Sequence, residues 1–303
     1  MNNSFLVGIR TNTFNYRSLY IASYYQSKGL DVVFVVDETK HEVSTGFFDK
    51  ISFDSARLHQ LGLFQSHSKI GWLCGDYFYY MMALDRPNYA GYWLIEDDAF
   101  VSADDLVGLL SKPLTDGIDF VAHHLAPANG KFLTGWAASM QHAVGSPDPL
   151  LKCLFCITYM SKALVMDCLR YRKDMSKKYM ANEIDKFQYP FPNDESHAAN
   201  IPSRSKYNFA AMKDVYPNMC DDFHYTSHGV VFDIDPLKAP VEAGFYHPVR
   251  IVASDVDELE SRLALKSKQS HEDLEREVIS TTDWLINKAY EIKAKYQATP
   301  SDL

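Results

Sequence analysis

The chain reads as an α/β protein in which a mostly parallel central sheet is flanked by helices, with a helical extension at its C-terminal end. Three observations predict this. Phe5 to Ile9 and Asp31 to Val36 are short, continuously apolar runs separated by a helical stretch, which is the strand–helix–strand unit of a parallel sheet with a right-handed crossover. Tyr92 to Ile95 is a further unbroken apolar run that ends in Glu96-Asp97-Asp98, the pattern of a strand buried on both faces. The remainder from Asp255 to Leu303 is charged and carries helical spacing, with an amphipathic segment over Thr282 to Tyr296.

Taken in order, Tyr16 to Lys28 places Leu19, Ile21, Ala22 and Tyr25 at helical spacing, and Gly29 follows as a C-terminal cap. The turn after the first strand has no GxGxxG, so a dinucleotide site of the Rossmann kind is not expected. A short apolar segment near Ile51 precedes a helix ending at Gly62, and Trp72 to Leu84 predicts one buried helix stopped by Pro87. Ser102 is placed to cap a helix running to Leu110, and Ile118 to Ala122 is a strand. Ala126 to Pro149 reads as a long irregular segment, of the kind that is usually functional. Cys153 to Arg170 is apolar and then helical, and Lys162 to Lys178 reads as a solvated basic face. Pro192-Asn193-Asp194-Glu195 is a turn and helix start, and Gly244 to Arg250 is an aromatic strand end carrying His247-Pro248.

Composition narrows the class. A net charge of −9 argues against a protein made to grip nucleic acid. No apolar stretch approaches the roughly 18 residues of a membrane span. Met1 to Leu6 shows no basic region and no signal-type apolar core. Cys74, Cys153, Cys156, Cys168 and Cys220 form no disulfide framework and read as reduced thiols of a cytoplasmic protein. Cys153 and Cys156 make a CxxC without a second pair, more simply explained as core thiols than as a zinc or redox site.

Three adjacent carboxylates repel one another, which raises their pKa values or calls for a cation among them. A hard divalent ion with oxygen ligands would meet that need and hold a ligand's phosphates; a solvated acidic turn is the plainer alternative. Arg10, Thr11 and Asp37 sit at strand ends, where a nucleotide base or ribose would lie. Asp76 falls inside the aromatic helix, and a buried carboxylate needs a partner, either a ligand or nearby backbone. Asn193 or Asp194 can cap the helix that follows, and Glu195 falls in its first turn, a good place for a general base. The neighbouring His197 reads as a surface histidine. His247, held extended by the proline after it, is either a metal or diphosphate ligand or a ring packed on Phe245 and Tyr246.

This series of parts resembles a glycosyltransferase of the GT-A superfamily over about residues 5 to 250: a strand–helix–strand start, a buried strand ending in Glu96-Asp97-Asp98, a later Asp194-Glu195 and a late His247-Pro248. The resemblance implies a catalytic domain at 1–250, with a nucleotide-binding half at 1–125 and an acceptor-binding half at 126–250, before a helical extension at 251–303. The acidic motif of that superfamily, the DXD, holds a divalent metal, manganese or magnesium, against the diphosphate of a nucleotide-sugar, here expected to be a UDP-sugar. The motif departs from Asp-x-Asp, and Asp98 is the first choice for metal ligand, then Asp97 and His247. Arg10, Thr11, Asp37, Asp76, Glu96 and Asp97 would lie on the donor side, and Glu195, with Asp194 behind it, would be the base. The acceptor would be a glycan or a lipid-linked oligosaccharide. The setting implied is that of bacterial surface-polysaccharide or lipopolysaccharide synthesis, cytoplasmic and peripheral at the inner face of the membrane, with a homo-oligomer formed through the C-terminal helix. Two other classes carry related residues. A metal-dependent nucleotidyl or phosphoryl transferase would show a Gly-rich phosphate loop or a second acidic pair, and neither is evident. A non-catalytic sugar-binding or scaffold protein of polysaccharide assembly would use the aromatic residues and the helical tail for docking.

Overall fold

The computed structural model describes residues 4–65, 70–130, 135–224, 229–235 and 241–252. The amphipathic segment Thr282 to Tyr296 and nearly all of the expected helical extension lie outside them. The elements below all belong to one compact unit, Met1–Ile234 with Ala239–Ile251.

In chain order the elements are β1 (Phe5–Thr11), α1 (Tyr16–Ser27), β2 (Val32–Asp37), β3 (Lys50–Phe53), α2 (Ser55–Gln60), α3 (Ile70–Leu73), α4 (Asp76–Asp85), β4 (Gly91–Glu96), β5 (Phe100–Ser102) and α5 (Leu106–Thr115). They continue with β6 (Phe120–Pro127), α6 (Trp136–Val144), β7 (Leu151–Ser161), α7 (Lys162–Met180), α8 (Asp194–Ala199), β8 (Phe209–Ala211), α9 (Met212–Val215), β9 (Phe232–Ile234), β10 (Gly244–Tyr246) and β11 (Val249–Ile251).

A seven-stranded sheet in the order β3-β2-β1-β4-β7-β6-β8 forms the centre. Only β7 runs against its neighbours, so the sheet is mostly parallel and flanked by helices, as the apolar runs predict. The continuous apolar runs have a direct reason. Successive residues of a strand point to opposite faces. Leu6, Val33, Val35 and Leu94 enter one core, with the aromatic face of α4, while Val7, Ile9, Phe34, Val36, Trp93 and Ile95 enter the other, with Ile21, Ala22 and Tyr25 of α1. A strand covered on both faces has no polar side to show.

Three expectations are corrected. The helix read over Trp72 to Leu84 is broken at Cys74-Gly75 into α3 and α4, because Gly75 turns its backbone toward an acid described below. Ser102 caps nothing; it ends β5 and donates to the Val241 carbonyl at 2.8 Å, and Asp105 caps α5 by accepting from the Gly108 amide at 2.8 Å. The stretch Ala126 to Pro149 is not one irregular loop, for β6 runs into it and α6 crosses it. Pro127 ends β6, where Ala126 and Pro127 pair with Lys152 and Leu151 of β7, and Gly135 and Gly145 flank α6 as its caps.

The chain builds outward from β1 through β2 to β3, then returns to the other side of β1 with β4. The carboxyl ends of β1 and β4 therefore flank the point where strand order reverses, the crevice at which open α/β sheets bind ligands. Glu96 ends β4 at that point.

Candidate functional site

Strand register assembles the first part of the site. The parallel pairing of β1 with β4 sets Arg10 abreast of Glu96, and the antiparallel pairing of β4 with β7, continued one step beyond Ile95 and Ile157, brings Cys156 to the other flank of Glu96. The Arg10 guanidinium is buried and forked. Its Nη2 donates to Glu96 Oε1, and its Nη1 donates to Asp194 Oδ2 at 3.1 Å. One side chain thus joins the acidic end of β4 to the acidic start of α8, residues 184 apart in sequence for the second bond. Burial works against the charge on Arg10, but Glu96 and Asp194 more than offset it and the group is held well above its ordinary range. Burial likewise pushes the Glu96 carboxyl up, and the Arg10 charge, with the nearby His247 imidazole and Cys156 thiol, outweighs it, so Glu96 is held ionised well below the usual range.

The three consecutive acids part company. Glu96 faces Arg10. Asp97 turns the other way, accepting from Thr11 Oγ1 at 2.7 Å and meeting Arg17 Nη2 at 3.4 Å. Asp98 faces His247, whose Nε2 lies 3.7 Å from Asp98 Oδ1 and 3.6 Å from Glu96 Oε2. His247 reaches this place because β10 pairs antiparallel with β5 and the Val249 amide then donates to the Asp98 carbonyl at 2.7 Å. Its other nitrogen, Nδ1, is 2.6 Å from the His224 carbonyl. A carbonyl only accepts, so Nδ1 carries a proton and Nε2 is the nitrogen turned to the acids. Burial raises the pKa of both Asp97 and Asp98, and Glu96 adds to the rise at Asp98. Burial lowers that of His247, but Glu96 and Asp98 reverse this and raise it. The donor atoms of Glu96, Cys156 and His247 all lie within 4.8 Å of one another.

The second part is the start of α8. Asn193 is the cap, its Oδ1 accepting from the Ser196 amide at 3.1 Å. Asp194, offered by the sequence as the alternative cap, is turned inward: Oδ2 accepts from Arg10 and from the Gly75 amide at 3.0 Å, and Oδ1 from the Glu195 amide at 2.8 Å. Glu195 is half-buried, and its carboxylate accepts one described hydrogen bond, from Asn193 Nδ2 at 3.1 Å. Burial, and then the neighbouring Asp194 charge, push the Glu195 carboxyl up; burial pushes Asp194 up in turn, against the pull of Arg10.

Gly75 must be glycine here for reasons of space. A Cβ at that position would run into Arg10 Nη1 and Asp194 Oδ2, two buried charged groups with nowhere to move. Gly75→Ala is therefore expected to cost about 1–3 kcal/mol, as overpacking does. Chemical denaturation of the variant measures it, and a midpoint equal to that of the parent would show that the Arg10–Asp194 pair yields without cost.

Other expected site residues lie elsewhere or are already occupied. Asp37 Oδ1 accepts from the Thr39 amide and hydroxyl at 2.9 and 2.6 Å, and its Oδ2 from the Gly71 amide at 3.0 Å, fastening the end of β2 to the start of α3. Asp76 is fully enclosed and holds Arg172 through two bonds of 2.7 Å, with Tyr80 donating at 2.6 Å. Arg172 is thus no part of a solvated basic face: it is fully buried on α7. His197 is not at the surface either. It is buried with Nε2 3.0 Å from the Cys168 carbonyl, and burial, together with the nearby Arg172 charge, presses its pKa down to about 3. Gly75 and Arg17 are not singled out by the sequence, Cys156 reads there as a core thiol of a CxxC, and Arg172 as one of a solvated basic run. The cross-strand position of Cys156 left a trace, in the apolar run of β7.

No protein-family model matches the chain, and no curated protein matches it. Among solved structures it is similar to mouse Xyloside xylosyltransferase 1 in its apo form, at 12% identity and a TM-score of 0.38, over 70% of this chain and 85% of that one. It is also similar to a glycosyltransferase involved in glycosylation of the major capsid of PBCV-1, at 11% identity and a TM-score of 0.31, over 70% of this chain and 86% of that one. At these scores the likeness is partial, and the fold is described above from its own topology.

Proposed function

We propose that the protein transfers a sugar from a nucleotide-sugar, a UDP-sugar first among them, to a hydroxyl of a glycan or lipid-linked oligosaccharide, with a divalent ion held by Glu96, Asp98 and His247 and with Glu195 as general base. The observation that carries this is the forked Arg10. It puts Glu96, part of the donor set suited to a cation, and Asp194, the residue next to the carboxylate suited to proton transfer, on the two arms of one guanidinium.

The residues fit an ion. Separations of 3.6 and 3.7 Å from His247 Nε2 to two carboxylate oxygens are too long for hydrogen bonds. The donor atoms of Glu96, Cys156 and His247 stand within 4.8 Å of one another, and Asp98 Oδ1 stands 3.7 Å from the same His247 Nε2, so an ion at His247 would have oxygen and nitrogen donors at hand. The Nδ1 contact to the His224 carbonyl is the outer-shell bond that orients a ligating imidazole. The imidazole beside the carboxylates biases the set away from magnesium and calcium toward a first-row transition ion such as manganese. Asp97 would act on the donor only through Thr11 and Arg17, since it faces them and not His247.

An ion bound there would neutralise the charge that develops on the departing nucleoside diphosphate. Arg10 keeps Glu96 ionised beside it and keeps α8 in place through Asp194. Glu195 then takes the acceptor hydroxyl's proton on a carboxylate oxygen as the new bond forms, with Asn193 Nδ2 fixing Oε2. A base in that role goes with inversion at the anomeric carbon. Work on a lipid-linked acceptor at the inner face of a bacterial membrane belongs to the same reading. Among the described residues no helix is long and apolar enough to cross a membrane.

Thermal shift with UDP-sugars, with and without manganese, tests the donor half. Stabilisation is expected only with both present, and Asp98→Asn should weaken donor binding in manganese at least tenfold while the unliganded melting temperature changes little. Unchanged affinity in Asp98→Asn, or a response to ATP in place of nucleotide-sugars, would overturn the assignment.

A further inference from the structure

Beside the acid pair lies a cavity of about 350 Å³ lined by Phe64, Trp72, Trp136, Lys186, Pro190 and Phe191, with Leu73 and Tyr179 behind them. Its walls are continuous with the candidate site at two points. Leu73 is two residues before Gly75, and Phe191 three before Asp194, and the Gly75 amide donates to Asp194 at 3.0 Å. The wall supplied by α3 and the wall that leads into α8 are thus joined at the residue next to Glu195.

The walls are held from the core. Tyr77 donates its hydroxyl to the Phe64 carbonyl at 2.8 Å, and Tyr179 donates to the carbonyls of Tyr189 and Pro190 at 2.9 and 3.2 Å. Tyr189 in turn stacks flat on His142 of α6 at 3.9 Å, which ties the helix carrying Trp136 to the same segment. The lip is different in kind. Trp72 is 67% exposed on a four-residue helix, and Trp136 is half-buried. Lys186 sits 5.3 Å above the Phe64 ring, bringing an ammonium to an otherwise apolar cavity.

We propose that this cavity binds a pyranose ring of the acceptor glycan, with Trp72 and Trp136 as its stacking platforms and Lys186 as a hydrogen-bond donor to its hydroxyls. A pyranose offers a flat C–H face and a rim of hydroxyls, and it pairs with aromatic faces that carry a polar edge, as indoles do. Ligand sites are mostly apolar cavities with a few placed polar groups, and one of this size holds a short stretch of sugar. An alkyl chain would be matched by an enclosed apolar channel, whereas here the widest indole stands in solvent and a charge sits at the lip. The inference rests on the transferase reading for the word acceptor: a ring bound there lies against the segment that leads from Phe191 into the start of α8, where Glu195 stands.

The test is calorimetric titration of the full chain with cellohexaose, chitohexaose and mannohexaose, and separately with dodecyl phosphate, alongside thermal shift with UDP-sugar and manganese on the same samples. Wild-type protein is expected to bind at least one oligosaccharide. Trp72→Ala should weaken that binding at least tenfold while leaving the melting temperature and the donor response unchanged, since Trp72 is mostly outside the core. Trp136→Ala serves as the second variant and should act in the same direction. Binding of none of the three oligosaccharides, equal binding by wild type and both variants, or binding of dodecyl phosphate alone would each overturn the assignment. A donor response without oligosaccharide binding overturns the cavity and leaves the transferase reading standing. Oligosaccharide binding lost in Trp72→Ala, but without any donor response, supports a glycan cavity and overturns the transferase reading.

Discussion

Glu195→Gln is expected to lower kcat by about 10²-fold or more, the scale of a lost general base, with melting temperature at neutral pH and metal-dependent donor binding kept. The expectation comes from how unequal the two acids at the start of α8 are. Asp194 spends its oxygens on Arg10, the Gly75 amide and the Glu195 amide, whereas Glu195 answers to Asn193 alone among the described bonds. Burial and the Asp194 charge lift Glu195 toward about 8, so the ionised, proton-accepting form grows in as pH rises through that region. The rate at low substrate should therefore climb on a limb well above the ordinary carboxylate range, and Glu195→Gln should remove that limb. Stability carries the opposite slope. A carboxyl whose folded pKa is raised favours the fold when protonated, and that contribution is lost as pH climbs from the ordinary value through the raised one. The glutamine variant should flatten this fall in melting temperature. A Glu195→Gln enzyme with normal turnover would remove the residue from the chemistry, and if Asp194→Asn were instead dead yet folded the two roles would be exchanged.

The largest loss of stability is expected from Asp76→Ala, about 3–5 kcal/mol, because it strands the buried Arg172 charge that its carboxylate now holds by both oxygens. Arg172 also donates to the Pro192 carbonyl at 2.8 Å, one residue before the Asn193 cap, so the pair supports the approach to α8 from below. Burial would raise the Asp76 carboxyl, but Arg172 and then His197 lower it overall. Its contribution is hence present above the ordinary carboxylate range and lost as pH falls through the lowered value. Replacing both partners together, Asp76→Leu with Arg172→Met, should recover most of the loss, since no uncompensated charge then remains. Denaturant unfolding of the single and double variants measures this. Should Asp76→Ala instead retain stability and lose donor binding, Asp76 would be a ligand-binding residue after all.

Part of this molecule is written locally. Runs such as Val32–Asp37 and Gly91–Glu96 must be covered on both faces, because they have no polar side, and that alone dictates a sheet between helices with acids at a strand end. Pro192-Asn193-Asp194 likewise announces the start of α8 by its own backbone preferences, but not that the cap is Asn193 and not Asp194. What each acid touches is another matter. Glu96, Asp97 and Asp98 are neighbours in the chain, yet they face Arg10, Thr11 and Arg17, and His247, respectively. Asp194 and Arg172 looked like a cap and a surface cation, and each proved to be half of a buried ion pair. Helix and strand period follows from side chains a few residues apart. The partner of a charge is decided by which elements pack side by side: strand order and register set it across 86 residues for Arg10 with Glu96, and the packing of two helices sets it across 96 for Asp76 with Arg172.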